Sequence, residues 1–196
     1  FLAATEVKPW QGNVYEFELR SNVEYQGFTS LQEGGHLKKY HGNDFFLNLS
    51  LLNGLPDPSC SLELEATEAW THKQKGSIDQ LKLTGRYFIR DDVAGDPFSL
   101  TVGLSYIQAF KWSLRDVSSF HHGLYNTELF LSFGKESADS LLWESRWWGV
   151  FAVGMAERGS PWIAFRLDYE KRWREKHQGA VFADTLWGLG REKLCS

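Results

Sequence analysis

A chain of 196 residues is long enough for one domain with a full core, and residues 1–196 are treated as a single domain. Its formal net charge of −4 excludes the broadly basic surface that binds nucleic acid, and its 42% hydrophobic residues exclude a disordered or collagen-like chain. No apolar run reaches the roughly 18 residues of a membrane-spanning helix, which argues against helical insertion.

The first regular pattern lies in residues 14–28, where apolar and polar residues alternate. The apolar positions are Tyr15, Phe17, Leu19, Val23 and Tyr25, and the polar ones are Glu16, Glu18, Arg20, Asn22, Glu24 and Gln26. A period of two predicts a strand with one apolar face and one polar face. Its length exceeds the five or six residues usual in soluble sheets and matches the ~9–11 residues of a strand that crosses hydrocarbon.

The same alternation returns along the chain, separated by turns. After a polar loop at residues 32–43, strands are predicted around residues 45–52, 62–67, 81–90, 98–106, 129–133, 147–155, 163–170 and 179–190. Residues 111–126 break the rhythm and predict a long loop or a short helical turn. With no helical segments between the strands, we predict an all-β fold, an antiparallel up-and-down β-barrel of about 8–10 strands. Closure is expected because an open meander would leave two long edges exposed.

Together with the strand length, two further features predict that the apolar face points outward. The polar face carries small residues that suit a narrow lumen, namely Ser99, Thr101, Gly103, Ser105, Ala152 and Gly154. The apolar face carries rings near the strand ends, namely Tyr15, Tyr25, Phe98, Tyr106, Trp147, Tyr169 and Trp173. Rings at both ends of an apolar band are typical of the aromatic girdles of membrane barrels.

Charged residues of both signs lie on the predicted polar face, where they would form a cross-strand network in the lumen. This predicted lumen charge network consists of Glu16, Glu18, Arg20, Glu63, Glu65, Lys82, Arg86, Arg90, Arg146, Arg166, Asp168 and Glu170. Its expected role is structural and ion-selecting. No catalytic residue, metal ligand or cofactor is assigned.

The alternating strands, the short turns rich in Gly, Pro and Asp, and the few longer loops resemble small outer-membrane β-barrels of Gram-negative bacteria. The resemblance covers most of the chain and implies a transmembrane β-barrel in the cell outer membrane, with lipid as its partner. It also implies a structural or porin-like narrow-pore role, with small ions or solutes in the lumen. The family usually ends on an aromatic residue, whereas this chain ends on 193–196, Lys-Leu-Cys-Ser.

Other folds and functions fit the same pattern. A soluble lipocalin-like carrier, periplasmic or secreted, would turn the apolar face inward around an apolar small molecule. Its cavity would be lined by Phe17, Leu19, Leu83, Val102 and Phe165. A β-sandwich or jelly roll is a further alternative.

The third functional alternative is a membrane-associated hydrolase acting on lipid or glycan. His121 and His122 with Glu128 are the best candidates for a general base or metal site, and Ser118 and Ser119 lie nearby in sequence. The carboxylates Glu16, Glu18, Glu63 and Glu65 offer acid–base pairs of the glycosidase kind. The histidine set reproduces no known motif, and the carboxylates are better explained as ion-pair partners of the basic residues on the same face, so an enzyme is the less favoured interpretation.

The two cysteines, Cys60 and Cys195, are far apart in sequence and form no CxxC pair. They predict either one long-range disulfide in an oxidising compartment or two unrelated thiols.

Overall fold

In a computed structural model the described residues form one antiparallel sheet of nine strands that follow each other in sequence order. The structure describes residues 7–10, 15, 17–33, 36–116, 118–119, 121, 123–139, 142–157, 160–173 and 177–189. The strands are β1 (Phe17–Glu33), β2 (His36–Gly54), β3 (Cys60–Trp70), β4 (Lys75–Arg90), β5 (Ser99–Ala109), β6 (Tyr125–Asp139), β7 (Leu142–Ala156), β8 (Trp162–Trp173) and β9 (His177–Gly188). No helix within these ranges is long and apolar enough to cross a membrane.

The period-two alternation places apolar and polar side chains on opposite faces of each strand. In β3, Leu62 and Leu64 are exposed, whereas their neighbours Ser61 and Glu63 are buried. The same reversal of the usual burial order runs through β4 and β5, where Lys82 is buried beside exposed Leu83. The prediction of an all-β, up-and-down fold is therefore confirmed, with nine strands inside the predicted range.

The sheet is curled like half of a barrel, and its buried polar residues lie on the concave side. Because the connections alternate, the sheet has two ends. We call the end with the β2–β3, β4–β5, β6–β7 and β8–β9 turns the turn end, and the opposite end, with the long β5–β6 connection, the loop end. β1 and β9 form the two edges, and within the described residues they are not hydrogen-bonded to each other.

The densest apolar packing also lies on the concave side, against β6, β7 and β8. It joins Val7, Phe130, Trp148, Val150, Ala152 and Ala164, with Trp10 packed against them. The polar face of these strands is thus interrupted by a compact apolar core, to which residues 7–10 contribute from outside the sheet.

The predicted polar loop at residues 32–43 is wrong. β1 and β2 continue as a hairpin, with Ser30 paired to Lys39 and Glu33 to His36. Backbone pairing does not require alternating side chains, so β1 and β2 extend beyond the residues that show the alternation. The break at residues 111–126 is confirmed, since it contains a 3-10 turn at Ser113–Arg115 within the connection between β5 and β6.

Candidate functional site

The concave side of the sheet holds an open cavity of about 890 Å³, lined mainly by polar and charged side chains. Its charged lining consists of Lys8, Glu18, Arg20, Glu24, Glu63, Glu65, Asp79, Lys82, Glu128, Arg166 and Asp184, with His121 at the loop end. The lining comes from strands at both edges of the sheet as well as from its middle, so the curl of the sheet is what creates the site.

A chain of ion pairs crosses the cavity wall from β1 to β4. Arg20 donates to Glu18 from Nε (2.9 Å) and Nη2 (2.7 Å), and its Nη1 lies 4.0 Å from Oε1 of Glu63. Glu63 in turn accepts a hydrogen bond from the buried guanidinium of Arg86. A buried guanidinium is costly unless a carboxylate compensates it, so Glu63 is the residue that allows Arg86 to lie in the wall.

A second set of ion pairs lies on β7 and β8. Arg166 donates from Nε and Nη2 to the two oxygens of Asp168, both at 2.8 Å, and Phe182 of β9 lies against the same guanidinium at 4.6 Å. Near the turn end, Arg146 Nε donates to Glu170 at 2.5 Å. The bidentate geometry of the Arg166–Asp168 pair gives it a defined orientation on the wall.

Most of the predicted lumen charge network therefore lies on the concave side. Glu65 and Lys82 are register partners on β3 and β4 and both line the cavity. Arg90 does not join them: a register irregularity follows Phe88, and the exposed Arg90 side chain lies 5.3 Å from the ring of Phe98. Glu16 lies outside the described residues. Whether these groups act as a functional network remains a prediction.

A buried polar cluster closes the loop end of the cavity. His121 Nε2 lies 2.8 Å from Oδ2 of Asp79, and both side chains are almost fully buried. Gln74 Nε2 donates to Asp79 (3.1 Å), Asp116 (3.1 Å) and Ser119 (2.9 Å), which ties the β5–β6 connection to β4. His121 Nδ1 has no hydrogen-bond partner within the described part of the chain.

The sequence singled out His121 but missed its partner. Asp79 precedes His121 by 42 residues, and no local spacing joins them. Glu128, the predicted partner, lines the cavity from β6, while His122 lies outside the described residues. Among the described residues no group of three or more His, Cys, Asp or Glu is placed to hold a metal ion.

The predicted lining of a lipocalin-like cavity is not found. Phe17, Leu19 and Leu83 are exposed, Val102 and Phe165 are half-buried, and none of the five lines this cavity. Their positions on the opposite face follow from the curl, because the apolar rows lie on the convex side. Of the four carboxylates predicted to offer acid–base pairs, Glu18 is bound by Arg20 and Glu63 by Arg86.

Cys60 begins β3, is half-buried and forms no disulfide with any residue that the structure describes. Cys195 lies outside the described residues, so the pairing of the two remains a prediction.

Comparison with known protein families, with curated proteins and with solved structures finds no match for this chain.

Proposed function

We propose that this chain is a β-barrel of the Gram-negative outer membrane, with a charged, narrow lumen and a structural or narrow-pore role. The observation that carries the proposal is the inverted burial order. On β3, Leu62 and Leu64 are 41% and 51% exposed, while Glu63 is only 8% exposed. A soluble antiparallel sheet packs its apolar face on the core and leaves the polar face to water. Lipid is the solvent that favours the opposite arrangement.

The extent of the apolar surface supports the same proposal. Exposed aliphatic side chains occupy the convex face of successive strands, among them Leu49, Leu51, Leu64, Leu83, Leu104, Leu129, Val153 and Leu167. Soluble monomers rarely expose contiguous apolar patches above a few hundred Å². A surface that continues over so many neighbouring strands supports the proposal that lipid surrounds the sheet.

The exposed rings lie toward the two ends of this apolar surface. Toward the loop end, Tyr25 contacts Phe45 at 5.0 Å between ring centroids, and Tyr106 stacks on Tyr125 at 6.3 Å. Toward the turn end, Phe133 and Trp147 make an edge contact at 6.1 Å, and exposed Tyr169 and Trp173 lie on β8. Tyr and Trp favour the membrane interface because one part of the ring system is apolar and another part hydrogen-bonds.

The two edges of the sheet must be paired if the chain spans a bilayer. Every backbone amide in hydrocarbon must be paired, so neither edge strand can stay open in a bilayer. β1 and β9 run in the same direction because nine strands alternate, and a seam between them would therefore be parallel. An additional strand between them, antiparallel to both, would give the even strand number usual in bacterial barrels.

Refolding into detergent micelles and lipid vesicles tests the proposal. We expect the folded protein to need detergent or lipid and to migrate differently from the boiled protein on a gel. Leu64→Arg, in the middle of the convex face, should weaken folding into vesicles by ~2–4 kcal/mol, the cost of arginine near the bilayer midplane. His72→Arg, at an exposed position in the β3–β4 turn, is the matched control.

A monomer that stays soluble at high concentration without detergent would refute the membrane proposal. An unchanged yield of folded Leu64→Arg protein in vesicles would count against it equally, since a charged side chain at that position is tolerated only in water.

A further inference from the structure

Residues 7–10, which we call the strap, cross the concave side of the sheet near the turn end. Val7 is 0% exposed and Pro9 is fully buried, although neither belongs to a strand. A four-residue segment with this burial occupies space that the sheet alone would leave open. Lys8 of the strap lines the cavity, so the strap forms part of the boundary of the cavity at this end.

Two strand hydroxyls hold the backbone of the strap. Ser132 Oγ on β6 donates to the carbonyl oxygen of Val7 at 2.7 Å, and Thr101 Oγ1 on β5 donates to that of Pro9 at 2.8 Å. Ser132 and Thr101 are register partners and are almost fully buried. These hydroxyls satisfy carbonyl groups that would otherwise be buried without a donor.

The side chains of the strap reach strands on both sides of that anchor. Lys8 Nζ lies 3.2 Å from Oε1 of Glu170 on β8 and 5.1 Å from the ring of Trp148 on β7. Trp10 Nε1 donates to Oδ1 of Asp92 in the β4–β5 turn at 2.8 Å, and its ring meets Trp148 edge-on at 5.9 Å. The strap therefore bridges the concave wall from the β4–β5 turn to β8.

We propose that the strap is an intramolecular plug, which closes the lumen at the turn end and must leave its anchors for solutes to pass. This inference rests on the proposed membrane function. The plug is held by hydrogen bonds, one ion pair, ring contacts and the packing of Val7 in the apolar core on β6, β7 and β8. Residues 7–10 belong to no strand, so these contacts lie outside the backbone pairing of the sheet. Release would free the Ser132 and Thr101 hydroxyls and Oε1 of Glu170 to face water in the lumen, while Oε2 of Glu170 would keep its bond to Arg146.

Conductance of the full chain in planar lipid bilayers tests the plug. The wild type should be mostly closed, and the variant carrying Thr101→Val and Ser132→Ala should raise the open probability by about tenfold, as expected for the loss of two net hydrogen bonds. Trp10→Phe keeps an aromatic ring but removes the indole N–H donor to Asp92 and reduces the ring contact with Trp148, and it should shift the equilibrium in the same direction. Ser105→Ala is the matched control, because it removes a buried hydroxyl pair with Thr84 on the same wall but away from the strap.

The outcomes separate the two proposals. Variants that insert and show the wild-type gel shift, yet conduct like the wild type, overturn the plug and leave the membrane barrel standing. Failure of the wild type itself to insert into lipid overturns the membrane barrel, and the plug with it. An equal gain in conductance from Ser105→Ala would also overturn the plug, since the gain would then reflect general loosening of the wall.

Discussion

The indole of Trp162 lies directly over the backbone of Gly154, its register partner across β7 and β8. A Cβ atom at Gly154 would overlap the indole ring. Phe130 covers Gly103 in the same way across β5 and β6. Each glycine thus makes room for a large ring on the crowded concave side, where an ordinary side chain on both strands would not fit.

Gly154→Ala should destabilise the folded protein by ~1–3 kcal/mol, the usual cost of overpacking a filled core. The comparison is Gly85→Ala on β4, where an added Cβ meets nothing within 4 Å, so the substitution should be neutral or slightly stabilising. Urea unfolding in detergent measures both. Equal effects of the two substitutions would show that Trp162 does not depend on the glycine.

Arg86→Met should cost ~3–5 kcal/mol, because it leaves the carboxylate of Glu63 in the wall without its main partner. The double variant Glu63→Gln, Arg86→Met should recover much of that loss, since it removes both charges. A double-mutant cycle read by thermal unfolding gives the coupling between them. Additive effects of the two substitutions would mean that the pair is not coupled.

The carboxylate of Asp92, at the turn end, should make the folded protein less stable in acid. Burial alone would raise the pKa of Asp92, but donors from the Glu136 amide, Ser99 and Trp10 outweigh it and hold the pKa below its usual value. A carboxyl whose folded pKa is depressed adds stability above the unfolded pKa, about 3.9, and loses it as the pH falls through the folded pKa.

Asp92→Asn should therefore destabilise the protein at neutral pH, and the gap from the wild type should close as the pH falls below about 4. Unfolding curves of the two proteins from pH 7 down to pH 2 measure this gap. A gap that stays constant with pH would exclude the carboxylate as its cause.

His121→Ala should loosen the connection between β5 and β6, because Asp79 would lose one of its buried donors. A cost of ~1–3 kcal/mol is expected for leaving a buried acceptor short of a partner. His72→Ala, at an exposed histidine in the β3–β4 turn, is the control. Limited proteolysis within residues 110–124 reports the loosening, and equal protection of the two variants would contradict it.

The face that each strand residue occupies could be predicted from the sequence. Alternation is a local property, so Glu63 and Leu64 fall on opposite faces whatever the rest of the chain does. The location of Arg86 and Arg166 with the acidic residues on one face follows in the same way. Alternation did not predict the position of Arg90. The register irregularity after Phe88 moves Arg90 off the polar face, and the alternation of residues gives no sign of it.

The core on the concave side could not be predicted in this way. Phe130 and Trp148 occupy polar-face positions in the alternation, and their burial depends on contact with Val7 and Trp10. Those contacts join residues that are more than a hundred positions apart in sequence. Residues 7–10 belong to no strand, so no periodicity indicated that they would pack inside the sheet.

By itself, the sequence determined the two-faced strands, their antiparallel order and the division of polar from apolar residues, because period and turn chemistry act over a few neighbouring residues. Only the tertiary structure decided which face is concave, since the curl accumulates over all nine strands. It also decided that Lys8 pairs with Glu170 and His121 with Asp79. These residues are 162 and 42 positions apart, so each contact exists only after the sheet has brought the two side chains together.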